Sequence, residues 1–203
     1  IERLPLVARE LGGASHAALA RFAAGRGLPD AAGLWSHWLS ERCPGPGLVV
    51  DKSLSTTRMI GLAATLLPDA PLIWLTRDPL DRAWSCYRTY FPGNLAWTND
   101  LEDIAFHFRL EDLLLQRWRE ILGARLLVVP YEELVGQPEH WIRRIAAHCG
   151  LSEEPAMFAP HRTRRLVTSA SVAQVRRPIN RDGIGSALPY REFLQPFMDA
   201  YYR

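Results

Sequence analysis

Arg77 and Ser85 stand eight residues apart, and the chain's only lysine, Lys52, directly follows Asp51. A guanidinium fork can donate two parallel hydrogen bonds to a phosphate, and a nearby hydroxyl adds a third contact. An ammonium is a compact point charge, suited to an oxygen on which negative charge collects as a bond breaks. In a chain that otherwise carries its basic charge on arginine, a retained lysine marks a position where that shape of charge is useful. Between Arg77 and Ser85, Asp78 has the chemistry of a helix N-cap and Pro79 suits the first helical position, so the amides of the first turn would face outward toward an anion. A purely structural role, with Arg77 paired to Asp81 or Asp51, uses the same residues.

The elements that would position these groups follow from periodicity. The apolar run 71–75 reads as a strand and the stretch through Ala83, Trp84, Ser85 and Tyr87 as a helix, so Arg77 lies at a strand's carboxyl end, where open α/β sheets bind ligands. Leu48, Val49 and Val50 read as a short buried strand ending at Asp51 and Lys52. A helix over 56–67 returns the chain through Pro68, Asp69 and Ala70, a strand–helix–strand unit that predicts a right-handed parallel crossover. An amphipathic helix begins at Asn99 and Asp100 and runs to Leu122, where Gly123 stops it. A third strand over 125–129 delivers Tyr131, and a helix over 141–149 ends at Gly150. Three strand ends then converge on a cleft suited to a doubly phosphorylated nucleotide. The stretch 160–189 loses periodicity and becomes basic and polar, an unusually long loop for a compact domain unless it has a task. A helix over 190–202 closes the chain. Helical patterning fills the first 42 residues, with Trp35, Trp38 and Leu39 at core spacing. The sequence starts at Ile1, already inside such a pattern, and so reads as a piece of a longer protein.

Composition limits the alternatives. The chain has 203 residues, 48% of them hydrophobic and 23% charged, enough for one well-buried domain over 1–203. A net charge of +2 argues against nucleic acid or an anionic membrane as the main partner. Cys43, Cys86 and Cys149 are odd in number and widely spaced, which predicts reduced core thiols in a cytoplasmic setting rather than disulfides or a metal site. His148, at a helix end beside Cys149, reads as packed. No apolar stretch approaches the roughly 20 residues of a membrane helix.

One ordered set of motifs is recognisable. Asp51-Lys52-Ser53, Leu66-Leu67-Pro68-Asp69-Ala70, Arg77-Asp78-Pro79-Leu80-Asp81, Ser85-Cys86-Tyr87, Tyr131-Glu132-Glu133-Leu134-Val135, Ser169-Ala170-Ser171 and Gln174-Val175-Arg176 with Pro178-Ile179 together resemble the bacterial sulfotransferases often fused to tetratricopeptide repeats. They are similar, more distantly, to protein-tyrosine sulfotransferases. The resemblance implies a P-loop-NTPase-like parallel sheet flanked by helices, and transfer of a sulfuryl group from 3′-phosphoadenosine 5′-phosphosulfate to an acceptor hydroxyl without a metal. It implies that Arg77 and Ser85 hold the 3′-phosphate, and that Lys52 and Ser171 act on the oxygen bridging sulfur and phosphorus. Tyr131 matches a nucleotide-contacting tyrosine. Ser171, Gln174, Val175, Arg176, Arg177, Pro178 and Asn180 match the loop that closes over the nucleotide. It also implies a bacterial parent with helical repeats upstream.

The match departs from the family in three places. The first strand and its glycine-rich phosphosulfate loop have no counterpart and would lie before Ile1. The family's general base falls just ahead of the first residue, which leaves Glu2 as the nearest acid. A basic and aromatic pair near the loop's end is replaced by Ser186 and Ala187. A nucleotide kinase would need a Walker-type GK[ST] and a magnesium carboxylate, and neither is visible. A non-catalytic module would use the 162–177 arginines on an acidic partner. The acceptor would meet the Trp35 and Trp38 region and the loop over 90–97, where no spacing identifies its chemistry.

Overall fold

A computed structural model describes residues 24–25, 28–45, 47–52, 56–91, 95–163 and 175–203. The chain divides into two compact units, residues 1–70 and 71–203. The expected sites at Glu2, Ser171 and Gln174 lie outside the described residues.

In the first unit, α1 (Leu28–Arg42) and α2 (Thr56–Leu66) supply a small apolar cluster of Trp35, Ala63 and Leu66, with Trp38, Leu39 and Met59 packed partly covered against it. Trp35 is therefore core and offers no face to an acceptor. The strand expected at Leu48 to Val50 is not formed. Residues 48–50 have no regular secondary structure, and Leu48 and Val50 are 74% and 86% exposed. A strand exists only through the ladder that satisfies its backbone, and this segment belongs to none. Without it the expected crossover has no first strand. Cys43 is exposed because it sits in the turn beyond α1, contrary to the expectation of three core thiols; Cys86 and Cys149 are partly buried.

The second unit is α/β. Its strands β1 (Leu72–Thr76) and β2 (Leu126–Pro130) pair in parallel, with Leu72 opposite Leu126 and Thr76 opposite Pro130. Between them run α3 (Pro79–Tyr87) and α4 (Leu101–Leu122). After β2 come α5 (Tyr131–Gly136), α6 (Pro138–His148) and the closing α7 (Gln195–Tyr201). Local chemistry sets the helix ends. Asp78 Oδ1 accepts the Asp81 amide at 2.9 Å and Pro79 opens α3; Asp100 Oδ1 accepts the amides of Glu102 and Asp103, and Gly123 ends α4 with φ of +51°. The last helix is shorter than its apolar pattern suggests. Pro196 lacks an N–H and cannot sit inside a helix, so it marks the first turn instead, and 188–190 is a separate 3₁₀ turn.

One core holds this unit together. Leu80 and Ala83 of α3, Ile104, Ala105 and Phe108 of α4, and Leu194, Phe197 and Met198 at the C-terminal end close around Ala187. Phe108 and Phe197 meet edge-on at 5.9 Å. His148 Nε2 lies 3.0 Å from the Leu72 carbonyl, which fastens the end of α6 to the start of β1. Among the described residues no helix is long and apolar enough to cross a membrane.

Candidate functional site

The parallel register dictates what stands at the sheet's carboxyl edge. Because Thr76 is opposite Pro130, the residues that follow, Arg77 and Tyr131, leave the sheet side by side. The Arg77 guanidinium carbon sits 4.8 Å from the centre of the Tyr131 ring, within cation–π range. Arg77 Nη2 donates to the Gly183 carbonyl at 2.6 Å and, more weakly, to Ser186 Oγ at 3.4 Å. Its Nε is buried with no hydrogen-bond partner among the described residues. Among the described residues every partner of this guanidinium is neutral: a carbonyl, a hydroxyl and a ring.

The structural alternative for Arg77, a pair with Asp81, is not what forms. Asp81 is 3% exposed. Its Oδ2 accepts the Gly185 amide at 2.7 Å, and its Oδ1 accepts the Ala187 amide at 2.8 Å and the Ser186 hydroxyl at 3.2 Å. In a capping box the third helical residue returns its side chain to the N-cap amide. Here Glu132 Oε1, from the first turn of α5, takes the Asp78 amide at 2.8 Å, which releases Asp81 to hold the turn.

That arrangement narrows one expectation about anion binding. The amides of Asp78 and Asp81 at the start of α3 are already held by carboxylates, and Pro79 has none to offer. Two amides of the junction are thereby withdrawn from anion binding, and the cation that stands there is the Arg77 side chain. Ser85 lies on α3 one turn beyond Asp81, so the two share a helix face. Lys52 is exposed in the first unit. Val175 is exposed, Arg176 donates to the Thr163 carbonyl, Arg177 pairs with Asp182 at 2.8 Å, and Asn180 bridges the Pro178 carbonyl and the Asp182 amide. This last group braces the approach to Gly183. Gly183 and the holding role of Asp81 carry no local sequence signal, because their partners are about a hundred residues away or across the sheet edge. No group of three or more metal-ligating side chains occurs among the described residues.

A profile of the sulfotransferase family matches residues 20–155. The chain belongs to the sulfotransferase family. Within that matched stretch fall Lys52, Arg77, Ser85 and Tyr131, whereas the turn at 183–187 lies beyond it. An uncharacterized protein of Aquifex aeolicus (strain VF5) is 28% identical over 154 residues, covering 74% of this chain and 20% of the relative. The sulfotransferase-family chain thus spans about a fifth of the length of the relative it matches.

Proposed function

We propose that this chain moves a sulfuryl group from 3′-phosphoadenosine 5′-phosphosulfate to an acceptor hydroxyl by in-line displacement. Units 1–70 and 71–203 are read as parts of one P-loop-like domain, a reading supported by a family match that runs through both. The observation that carries the donor assignment is the half-buried Arg77 guanidinium at the end of β1, ringed by neutral partners and lacking a carboxylate among the described residues. A half-buried cation without a counter-charge favours an anionic ligand, and a planar fork favours a phosphate.

In this reading Arg77 and Ser85 hold the 3′-phosphate while the Tyr131 ring packs against the guanidinium. Val175, Arg176, Arg177, Pro178 and Asn180, with Gln174, shape the loop over the nucleotide. Lys52 and Ser171 stabilise the charge that grows on the bridging oxygen as the S–O bond breaks and the 5′-phosphate leaves. The acceptor oxygen forms the new bond to sulfur, and its proton passes to a base for which Glu2 is the candidate within this sequence. Such a transfer depends on positioning and charge stabilisation more than on covalent chemistry by the protein.

The experiment is transfer of radiolabelled sulfuryl from the donor to a panel of hydroxyl acceptors, run with wild type and Lys52→Ala. Lys52→Ala is expected to lower turnover by about 100-fold while changing donor affinity by less than about threefold. A loss confined to donor affinity contradicts the role given to Lys52, and a wild type that transfers nothing to any acceptor contradicts the proposed activity.

A further inference from the structure

We propose that Asp81, which never reaches the nucleotide, is the positioning residue of the phosphate site, working through the 183–187 turn to aim Arg77. The inference rests on the reading of Arg77 as the 3′-phosphate ligand. It begins from an anomaly of burial. A carboxylate that is 3% exposed and has no basic partner among the described residues ought to be costly, yet here three donors converge on it, all from residues 185–187. Those donors lie more than a hundred residues along the chain from Asp81, and the start of α3 favours a negative charge at the position Asp81 occupies.

The turn held in this way is the one that touches Arg77. Gly183 directs its carbonyl to Arg77 Nη2 at 2.6 Å, and Ser186 links the two side chains, donating to Asp81 and accepting from Arg77. Ala187, 1% exposed, anchors the far end in the core. At the near end the turn lies so close to the sheet edge that a Cβ on Gly183 would overlap the Tyr131 hydroxyl and stand 3.3 Å from Arg77 Nη2. One guanidinium nitrogen is thus fixed by protein while Nε stays unpaired and the carboxylate that could have neutralised Arg77 is held elsewhere. Asp81 both withholds its charge from Arg77 and builds the wall that orients it. This also explains how Ser186 and Ala187 can replace the basic and aromatic pair expected there: the rim contributes aim instead of charge.

Two substitutions attack the device from opposite ends. Asp81→Asn keeps the shape but sets a side-chain NH2 donor against a backbone N–H donor where an oxygen accepted, and Gly183→Ala pushes the turn off Tyr131 without touching Asp81. For each, titration calorimetry with adenosine 3′,5′-bisphosphate and with 5′-AMP gives an affinity ratio. The expected result is a loss of about tenfold or more for the bisphosphate with 5′-AMP within about twofold. Amide exchange at residues 185 and 187 should quicken in Asp81→Asn. Faster exchange with an unchanged ratio in both variants would make the turn a structural brace and overturn the inference, while the wild-type preference for the 3′-phosphate would leave the proposed function standing. A wild type without that preference contradicts the proposed function instead. The Arg77 Nε–H resonance then decides the positioning claim: Asp81→Asn and Gly183→Ala should both shift it, and an unmoved signal overturns the link. If Asp81→Asn does not fold, Gly183→Ala still supplies the affinity ratio and the Nε–H signal.

Discussion

Arg77 and Arg82 lie five residues apart on the same stretch of chain and have opposite surroundings. Arg82 rests over the Phe108 ring at 3.7 Å, with Glu111 at 3.8 Å and Asp112 at 3.6 Å, and Asp112 in turn accepts a short hydrogen bond from the Tyr201 hydroxyl. Arg77 meets a carbonyl, a hydroxyl and a ring. Both leave a buried Nε without a partner among the described residues, so that feature does not separate them; charge balance does. Two carboxylates answer Arg82, which ties α3 and α4 together and, through Asp112, reaches α7. Nothing negative among the described residues answers Arg77. The charge of Arg82 is met inside the fold and serves the fold; the open charge of Arg77 is what supports the proposal that it serves a ligand.

The strongest way to break that contrast is to remove Arg82. Arg82→Ala should cost about 2 kcal/mol in urea unfolding, short of a fully buried pair because the Asp112 side chain is 45% exposed. It should leave the ratio of bisphosphate to 5′-AMP affinity unchanged. A collapse of that ratio would mean that the two arginines form one system. Tyr201→Phe sharpens the same side of the comparison. Burial and the hydrogen bond to Asp112 push the Tyr201 phenol up, and deleting the donor should cost about 1 kcal/mol by the same unfolding measurement. Arg77→Leu, by contrast, should stay within about 0.5 kcal/mol of wild type or gain stability, since it removes an unbalanced charge from a half-buried place. A loss as large as that of Arg82→Ala would show that Arg77 is structural after all.

The smallest expected effect concerns Cys86, on α3 between the two regions. Burial pushes its thiol from 9.0 up to about 11, with Arg82 pulling it down and Glu111 raising it. A thiol raised in the folded state favours folding while it stays protonated, so its contribution is full below pH 9 and is lost as pH rises through about 11. Unfolding curves between those limits should be flatter for Cys86→Ser than for wild type. Alkylation at pH 8 should mark exposed Cys43 well before Cys86.

Much of this molecule was legible locally. Asp78 followed by Pro79, Asp100 followed by two acids, and Gly123 after a long apolar stripe announce helix ends through contacts made within three residues, and all three appear as expected. Arg77 and Tyr131 could be placed at strand ends before their pairing was known, because each follows an apolar run. What could not be read is non-local. The three bonds of Asp81, the closeness of Gly183 to Tyr131 and the bridging role of Ser186 depend on chain returning from far away, and a lone aspartate near an arginine reads most simply as its partner. Leu48 to Val50 shows the complementary failure: an apolar triplet has strand composition, but composition supplies no neighbour to pair with. Pro196 was visible in the sequence, and its missing N–H accounts for the short last helix.

The open charge at the end of β1 is proposed to recognise a ribose-linked phosphate. Titration calorimetry of wild type and Arg77→Ala with adenosine 3′,5′-bisphosphate and 5′-AMP tests it most directly. The expected result is a loss of about 2 to 4 kcal/mol for the bisphosphate, with 5′-AMP almost unaffected. Equal losses for both nucleotides, or none for either, would contradict it.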